Sequence, residues 1–380
     1  MNPAKTSTTT AAQIIQANLA ARLNLLQRGI RNRLTLQTQT AQLGGSINFN
    51  LQQIGLTTGV RLFVSVPITV TAALTPSQLA PHNLIQSITV TDPNGINRSQ
   101  VDGWSLNLIQ SFKHRENHGL AFAFSGNVGD AGGINTNIVN VPTTLAGGTL
   151  CFVLHVPFAY DAMSDLRGSI LTQLSSGVAQ LNIQFASALV GADSAKFPFT
   201  AGTATAGTIS VIPVQEFLGT GNGIDIANPA QLPQLDLATV YGFQASDDNT
   251  NIVAGGNKQV NWPVNRTVHS ALHFFENGNA GTLNETDVSL VTLLANTTSP
   301  ILVGPPVTWR YAMRSLLGSD AASGAYYIGR RLQPVQTAMI GQVITQFGLD
   351  NVSGAGTVNF HNVYELTYPL GSAQPAVAVA

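Results

Sequence analysis

The chain has 380 residues, a formal net charge of −1, one cysteine, and charged side chains at only 9% of positions, against roughly 25% in an ordinary soluble domain. A lone cysteine, Cys151, excludes an intrachain disulfide and a cysteine-based zinc site. A 44% apolar composition with almost no net charge excludes a disordered chain; so few charges favour association instead, as in a subunit mostly covered by neighbours.

Charge is unevenly placed along the chain. Six of the 17 basic residues and none of the 18 acidic ones precede Asp92. Four of those six, Arg22, Arg28, Arg31 and Arg33, stand in "AAQIIQANLAARLNLLQRGIRNRL", residues 11–34. Thr10 with Gln13 fits a capping box, and Ile15, Leu19, Leu23, Leu26 and Ile30 recur at helical spacing. A helix of about 18 residues is marginal alone in water and needs a surface to order on. Its apolar face is expected to pack on a neighbouring subunit, and its arginines to face anionic lipid headgroups at roughly 1 kcal/mol each. Sequence-specific nucleic-acid binding is not expected, because the segment has no aromatic residue on which a base could stack.

After residue 45 the dominant period is two, the signature of half-buried strands. "SINFNLQQ" alternates Ile47, Phe49 and Leu51 with asparagines, and "RLFVSVPITVT" puts Leu62, Val64, Val66, Ile68 and Val70 on one face. "GTLCFVLHVPF", "LNIQF" and "NVYELTYPL" continue the pattern. One internal helix is predicted in "YDAMSDLRGSILTQL", where Met163, Leu166, Ile170 and Leu174 share a face. "LIQSITVTDPNG" and "VHSALHFFENG" suggest an internal repeat: each runs from a serine to an acid-Asn-Gly or acid-Pro-Asn-Gly turn, with "VDGWSLNLI" and "ETDVSLVTLL" as following strands. "ALVGADSAKFPFTAGTATAG" reads as a Gly/Ala/Thr-rich linker between the halves.

No pattern asks for a catalyst. His269 and His273 form H-x3-H in a strand context, where residues four apart are roughly 13 Å apart and cannot share an ion. His114 and His118 fall in a predicted loop, "HRENH". "GTGNG" lacks the lysine of a phosphate loop, and no G-x-S-x-G elbow occurs. Asp247–Asp248 reads as a pair of loop acids, since aspartate favours turns. No catalytic, cofactor or metal residue is assigned. Without a secretory signal or an apolar span, synthesis in a cytoplasm is expected.

Residues 147–186, "GGTLCFVLHVPFAYDAMSDLRGSILTQLSSGVAQLNIQFA", resemble the end of the first jelly roll of tectivirus major capsid proteins, where a strand meets a V-P-x-A-Y corner. "HNLIQSITVTDPNGINRSQVDGWSLNLIQS", "LPQLDLATVYGFQAS" and "PVTWRYAMRSLL" with "GAYYIGRRLQPVQT" are similar to further segments of that family in the same order, covering about residues 40 to 370. The resemblance implies an all-β double jelly roll: two consecutive eight-stranded sandwiches with an N-terminal amphipathic helix and short connecting helices. The expected division is an arm over 1–40, a first roll over 41–190, a linker over 191–204, a second roll over 205–370 and a flexible tail over 371–380. It further implies a non-enzymatic virion subunit, made in the host cytoplasm, whose pseudo-hexagonal homotrimers tile an icosahedral shell around an internal membrane. Its partners would be neighbouring capsomers, minor and vertex capsid proteins, and membrane lipids. The alternative is a carbohydrate-binding β-sandwich spike or adhesin, for which three tryptophans offer few aromatic platforms.

Overall fold

The computed structural model of the chain describes residues 10–118, 147–173, 175–251, 256–277, 281–282, 287–296, 298–317, 324–330, 333–349 and 357–370. Helix α1 (Ala11–Arg28) opens the chain. It is followed by β1 (Ile30–Thr35), β2 (Gln39–Ala41), β3 (Ser46–Asn50) and the long β4 (Leu56–Pro76). Next come β5 (Ile85–Thr91), β6 (Asn97–Val101), α2 (Gly103–His118), β7 (Gly148–Pro157), β8 (Ile170–Leu171) and β9 (Gln180–Phe185). β10 (Phe199–Ala206) and β11 (Ile209–Gly219) lead through α3 (Gln234–Leu237) to β12 (Thr239–Asn251), β13 (Gly256–Asn261), β14 (Thr267–Asn277) and β15 (Gly281–Thr282). The C-terminal part holds β16 (Leu290–Ala295), β17 (Ser299–Gly304), α4 (Pro306–Leu317), β18 (Ala325–Gly329) and β19 (Val335–Gln336). It ends with α5 (Thr337–Ile340), β20 (Val343–Leu349) and β21 (Thr357–Pro369).

Period-two side chains build the layers. Leu62, Val64, Val66, Ile68 and Val70 of β4 are buried, as are Ile47 and Phe49 of β3 and Leu181, Ile183 and Phe185 of β9. One sheet runs β1–β11–β4–β10, with β2 on β11 and with β7 and β8 on β4. A ten-stranded sheet runs β15–β14–β21–β12–β6–β5–β9–β3, with β18 and β19 also on β14, and a third runs β13–β20–β16–β17. The first sheet shares a core with β3, β5 and β9, and the third shares cores with β14 and β21. Two sandwiches thus stand side by side on one continuous sheet, joined where Gln244 of β12 pairs in parallel with Gln100 of β6.

Several local expectations are overturned. "VDGWSLNLI" is a strand only to Val101; Asp102 then accepts a hydrogen bond from the Ser105 N–H and α2 begins. This helix crosses the seam between the sandwiches, so residues 103–110 are buried all round and show no amphipathic stripe. α2 extends through His114 and His118, so "HRENH" is helical. The stretch predicted as a helix over 160–174 is a chain of turns leading into β8, and Leu174 lies outside the described residues. Asp161 accepts from the Met163 N–H and the Ser164 hydroxyl, local bonds that compete with a helix. Gly168 then takes φ +89°, where a Cβ would lie 2.3 Å from the Tyr241 Cβ. The linker stretch contains a strand, β10, laid along β4 with three register shifts, and β11 joins the same sheet. Asp247 and Asp248 lie on β12 instead of in a loop, beside His361 and Lys258 respectively. Cys151 is half-buried on β7 opposite Ser65, on the face away from Leu150 and Phe152. β5 and β14, the two halves of the suspected repeat, both lie in the ten-stranded sheet, but β6 follows the first within it and β16 sits in a different sheet. The 371–380 tail lies outside the described residues.

Candidate assembly surface

The first turn of α1 is closed as its sequence predicts: Thr10 and Gln13 exchange side-chain and backbone hydrogen bonds. The helix stops at Arg28, because Gly29 is extended and donates its N–H to the Leu25 carbonyl. Asn222 also donates to the Arg28 carbonyl, satisfying part of the open end. The chain then becomes β1, pairing with β11 from Ile30 opposite Gly219 to Thr35 opposite Val214.

The helix docks on its own subunit largely by its polar side. Arg22 makes a two-pronged contact with Asp236, Nε to Oδ2 at 2.6 Å and Nη2 to Oδ1 at 2.5 Å, with Asp165 3.7 Å away. Asn18 donates to the same Asp236 carboxylate and accepts from the Leu235 N–H. The paired carboxylates hold the Arg22 guanidinium above its usual range. Burial opposes charging of Asp165, yet Arg167 and Arg22 outweigh it and keep its pKa lowered. One apolar anchor, fully buried Leu25, joins a cluster with Leu56, Leu166, Leu218, Ile224 and Ile226.

The predicted packing stripe points elsewhere. Ile15, Leu19 and Leu23 are 60%, 48% and 48% exposed. Leu26 is partly buried against the Leu25 cluster, and Ile30 sits exposed on β1, off the helix. Of the four predicted contact arginines, Arg28 is exposed in the last helical turn, where a cation suits the helix dipole. Arg31 donates to the Ala162 carbonyl, and Arg33 lies 3.0 Å from Glu216. Glu216 also meets Arg61 at 3.1 Å and His155 at 3.4 Å. Burial would raise its carboxyl, but His155, Arg61 and Arg33 bring it down to about 2. Sequence reasoning missed Asn18 and Leu25. With Arg22 they stand at i, i+4 and i+7, one helix face, but only one of the three is apolar. Val303 of β17 and Val307 and Tyr311 of α4 are exposed as well.

One contact chain imitates a catalytic triad. The Ser105 hydroxyl is 3.1 Å from Nε2 of His361, whose Nδ1 meets Asp247. Asp102 also holds Nε2, at 2.5 Å. Burial disfavours a charged imidazole, but the two carboxylates prevail and push its pKa up to about 10. A histidine that stays protonated at neutral pH is no general base, and Ser105 is fully buried. Among the described residues, no group of three or more His, Cys, Asp or Glu side chains is placed to hold a metal, and no helix is long and apolar enough to cross a membrane.

The family model "P3 major capsid protein N-terminal" matches residues 1–211, and "P3 major capsid protein C-terminal" matches residues 238–370. The major capsid protein P3 of Enterobacteria phage PRD1 is 26% identical over 367 residues, covering 90% of this chain and 89% of the relative. Among solved structures, the STIV MCP aligns with a TM-score of 0.65 at 13% identity, covering 90% of this chain and 97% of its own. VP54 of PBCV-1, fitted into a reconstruction of the virophage Sputnik, aligns at 0.57 and 11% identity, covering 93% and 97%. At such identities these two matches speak for the fold alone, a double jelly roll. Both halves of the chain are matched: this chain belongs to the P3 major capsid protein family and, as that family is, is a structural component of the virion capsid shell and not an enzyme.

Proposed function

We propose that three copies form a pseudo-hexagonal homotrimer and that trimers tile an icosahedral shell around an internal membrane, with α1 at the inner surface against neighbouring subunits and lipid. Two sandwiches on one sheet give each copy two similar lobes, so three copies present six. The arm, residues 1–40, leads from α1 through β1 into the first sheet, and the crossover between rolls lies between β11 and β12.

The observation that carries the proposal is the inverted docking of α1: its polar face is turned to the body through Arg22 and Asn18, and its apolar ridge is turned out. Burying half-exposed aliphatic side chains contributes on the order of 1 kcal/mol each, so the ridge supplies a few kcal/mol per copy. Exposed arginines add about 1 kcal/mol each near an anionic surface, and Arg22 and Arg33 are already paired within the chain. The ridge therefore outweighs the charge. A shell repeats the contact many times, and multivalency makes weak contacts sufficient.

Removing residues 1–28 keeps β1 in its sheet and tests the reading. Light scattering after gel filtration is expected to give trimers still, while flotation with anionic phospholipid vesicles and recovery of closed particles fall. Truncated chains that float and assemble like the full chain would refute the role of α1, and a monomeric full-length chain would refute the trimer.

A further inference from the structure

Helix α2 belongs to the first roll by sequence, yet it lies against strands of the second, and among the described residues two charged contacts, one at its N-cap and one at Lys113, run in opposite senses. At its start, Asp102 supplies the negative charge to His361 of β21 at 2.5 Å. At Lys113, three turns further on, the helix supplies the positive charge to Glu365 of the same strand, at 2.9 Å. Both partners in the second pair are almost wholly buried. The carboxylate there is also hydrogen-bonded by the Tyr241 and Ser270 hydroxyls, and the ammonium lies 4.5 Å from the centre of the Tyr241 ring. Between the two ends the contact is apolar and aromatic: Trp104 lies edge-on to Phe274 at 4.9 Å, and Phe112 stacks on Tyr327 at 4.2 Å.

We infer that this pair of oppositely directed charge contacts is the device that sets the orientation of the two rolls, making Lys113, Glu365, Asp102 and His361 positioning residues for the shape of the capsid subunit. An apolar seam alone accepts many arrangements, since burial is non-directional. A slip of one helical turn, about 5.4 Å, draws both pairs apart at once, and the contacts that remain, Asp247 on His361 and the Tyr241 and Ser270 hydroxyls on Glu365, do not restore the lost charge complementarity across the seam. Turning the helix end for end brings Asp102 towards Glu365, like against like, and takes Lys113 away from its carboxylate. Such juxtaposition suppresses the wrong arrangement by at least about a hundredfold. A buried ion pair is weak evidence for stability, because apolar replacements of similar volume are often neutral or stabilising. Orientation is therefore what the pair supplies beyond an apolar seam. The inference rests on the capsid assignment only for its assembly readout and is independent of the proposed membrane contact.

The test is the double variant Lys113→Met/Glu365→Leu, made in the full chain. Its melting temperature is expected to match or exceed that of the unmodified chain. Small-angle X-ray scattering of the soluble protein should show a spread of roll-to-roll arrangements, and the yield of regular closed shells should fall about tenfold or more. A double variant with an unchanged scattering profile and shell yield overturns the inference. So does one that no longer folds, because the pair would then be supplying stability and not orientation. Exchange of the charges, Lys113→Glu/Glu365→Lys, gives an independent reading: it keeps a pair but reverses its polarity, so the two ends of the helix no longer run in opposite senses. Scattering should change there as well, and assembly equal to the unmodified chain would count against the device. The unmodified chain run alongside separates failure of the device from failure of the assembly assay.

Discussion

Helices α1 and α2 are both short, both carry few charges, and use them in opposite ways. α1 presents arginine and asparagine to its own body and keeps Ile15, Leu19 and Leu23 in the open. α2 buries nearly every side chain it has up to Lys113 and is held by ion pairs at its N-cap and at Lys113. One helix is attached but incomplete, with apolar surface to spare. The other is buried within the subunit from Gly103 to Gln110. Burial of apolar area marks α2 as part of the fold, and the exposed apolar area of α1 is what the proposed assembly role draws on.

The sharpest way to break α2's side of the comparison is to remove one charge only. Lys113→Met leaves Glu365 ionised or forced to protonate in a buried site, at a cost of about 3–5 kcal/mol, read as a lowered midpoint in urea. The hydroxyls of Tyr241 and Ser270 soften the loss without replacing the cation. If the single variant is as stable as the unmodified chain, the pair is not buried as described.

The same two helices show what is readable in the sequence and what is not. The half-buried strands are legible because one face of each meets a core and the other does not: β3, β4, β7 and β9 alternate as their residues do. β21 is buried on both faces from Asn362 to Tyr368, with the third sheet on one side and α2 on the other, so alternation there carries little meaning. α2 itself reads as a strand, because a helix buried all round has no stripe. α1 is recognisable by its stripe and cap, yet the stripe says nothing of the face by which the helix docks. It does not show that the helix holds its own subunit by Arg22, whose acceptor Asp236 lies 214 residues away. Such pairings are set by tertiary structure, and spacing within a segment carries no trace of them.

Leu25→Ala removes the one fully buried apolar contact of α1. A buried leucine truncated to alanine costs roughly 2–5 kcal/mol, here charged against docking of the arm and not against the sandwiches. Amide exchange in α1 should accelerate strongly while β21 keeps its protection. Equal acceleration in both would mean that arm and body unfold together.

The charged contacts of the two neighbourhoods, the strands that follow α1 and the strand beneath α2, also differ in the direction of pH that loosens them. Glu216, which straps β1 and β4 together through Arg33 and Arg61, titrates at about 2 in the folded chain against an ordinary 4.5. Its depressed value means the contribution is present above 4.5 and is lost as pH falls towards 2. His361 is the reverse case: its value rises from 6.5 to about 10, so its contribution is complete below 6.5 and lost as pH climbs through 10. Urea midpoints of Glu216→Gln should lose part of the acid dependence. Trp104, 5.1 Å from His361, should report the alkaline step by fluorescence, and His361→Gln should abolish it. Acid and alkaline limbs unaffected by these changes would detach both residues from their assigned roles.

The smallest expected effect on the subunit is at Leu19, and it is the one that separates the helices most cleanly. Leu19→Gln alters a side chain that is 48% exposed and keeps helix propensity nearly unchanged. Surface changes of this kind stay within about 0.5 kcal/mol, so melting of the isolated protein should not move. If the ridge of α1 is an assembly surface, the same substitution lowers particle yield and vesicle binding, and adding Ile15→Gln deepens the loss. A stability change without an assembly change would put Leu19 in the subunit's own core, and α1 would then be the same kind of helix as α2.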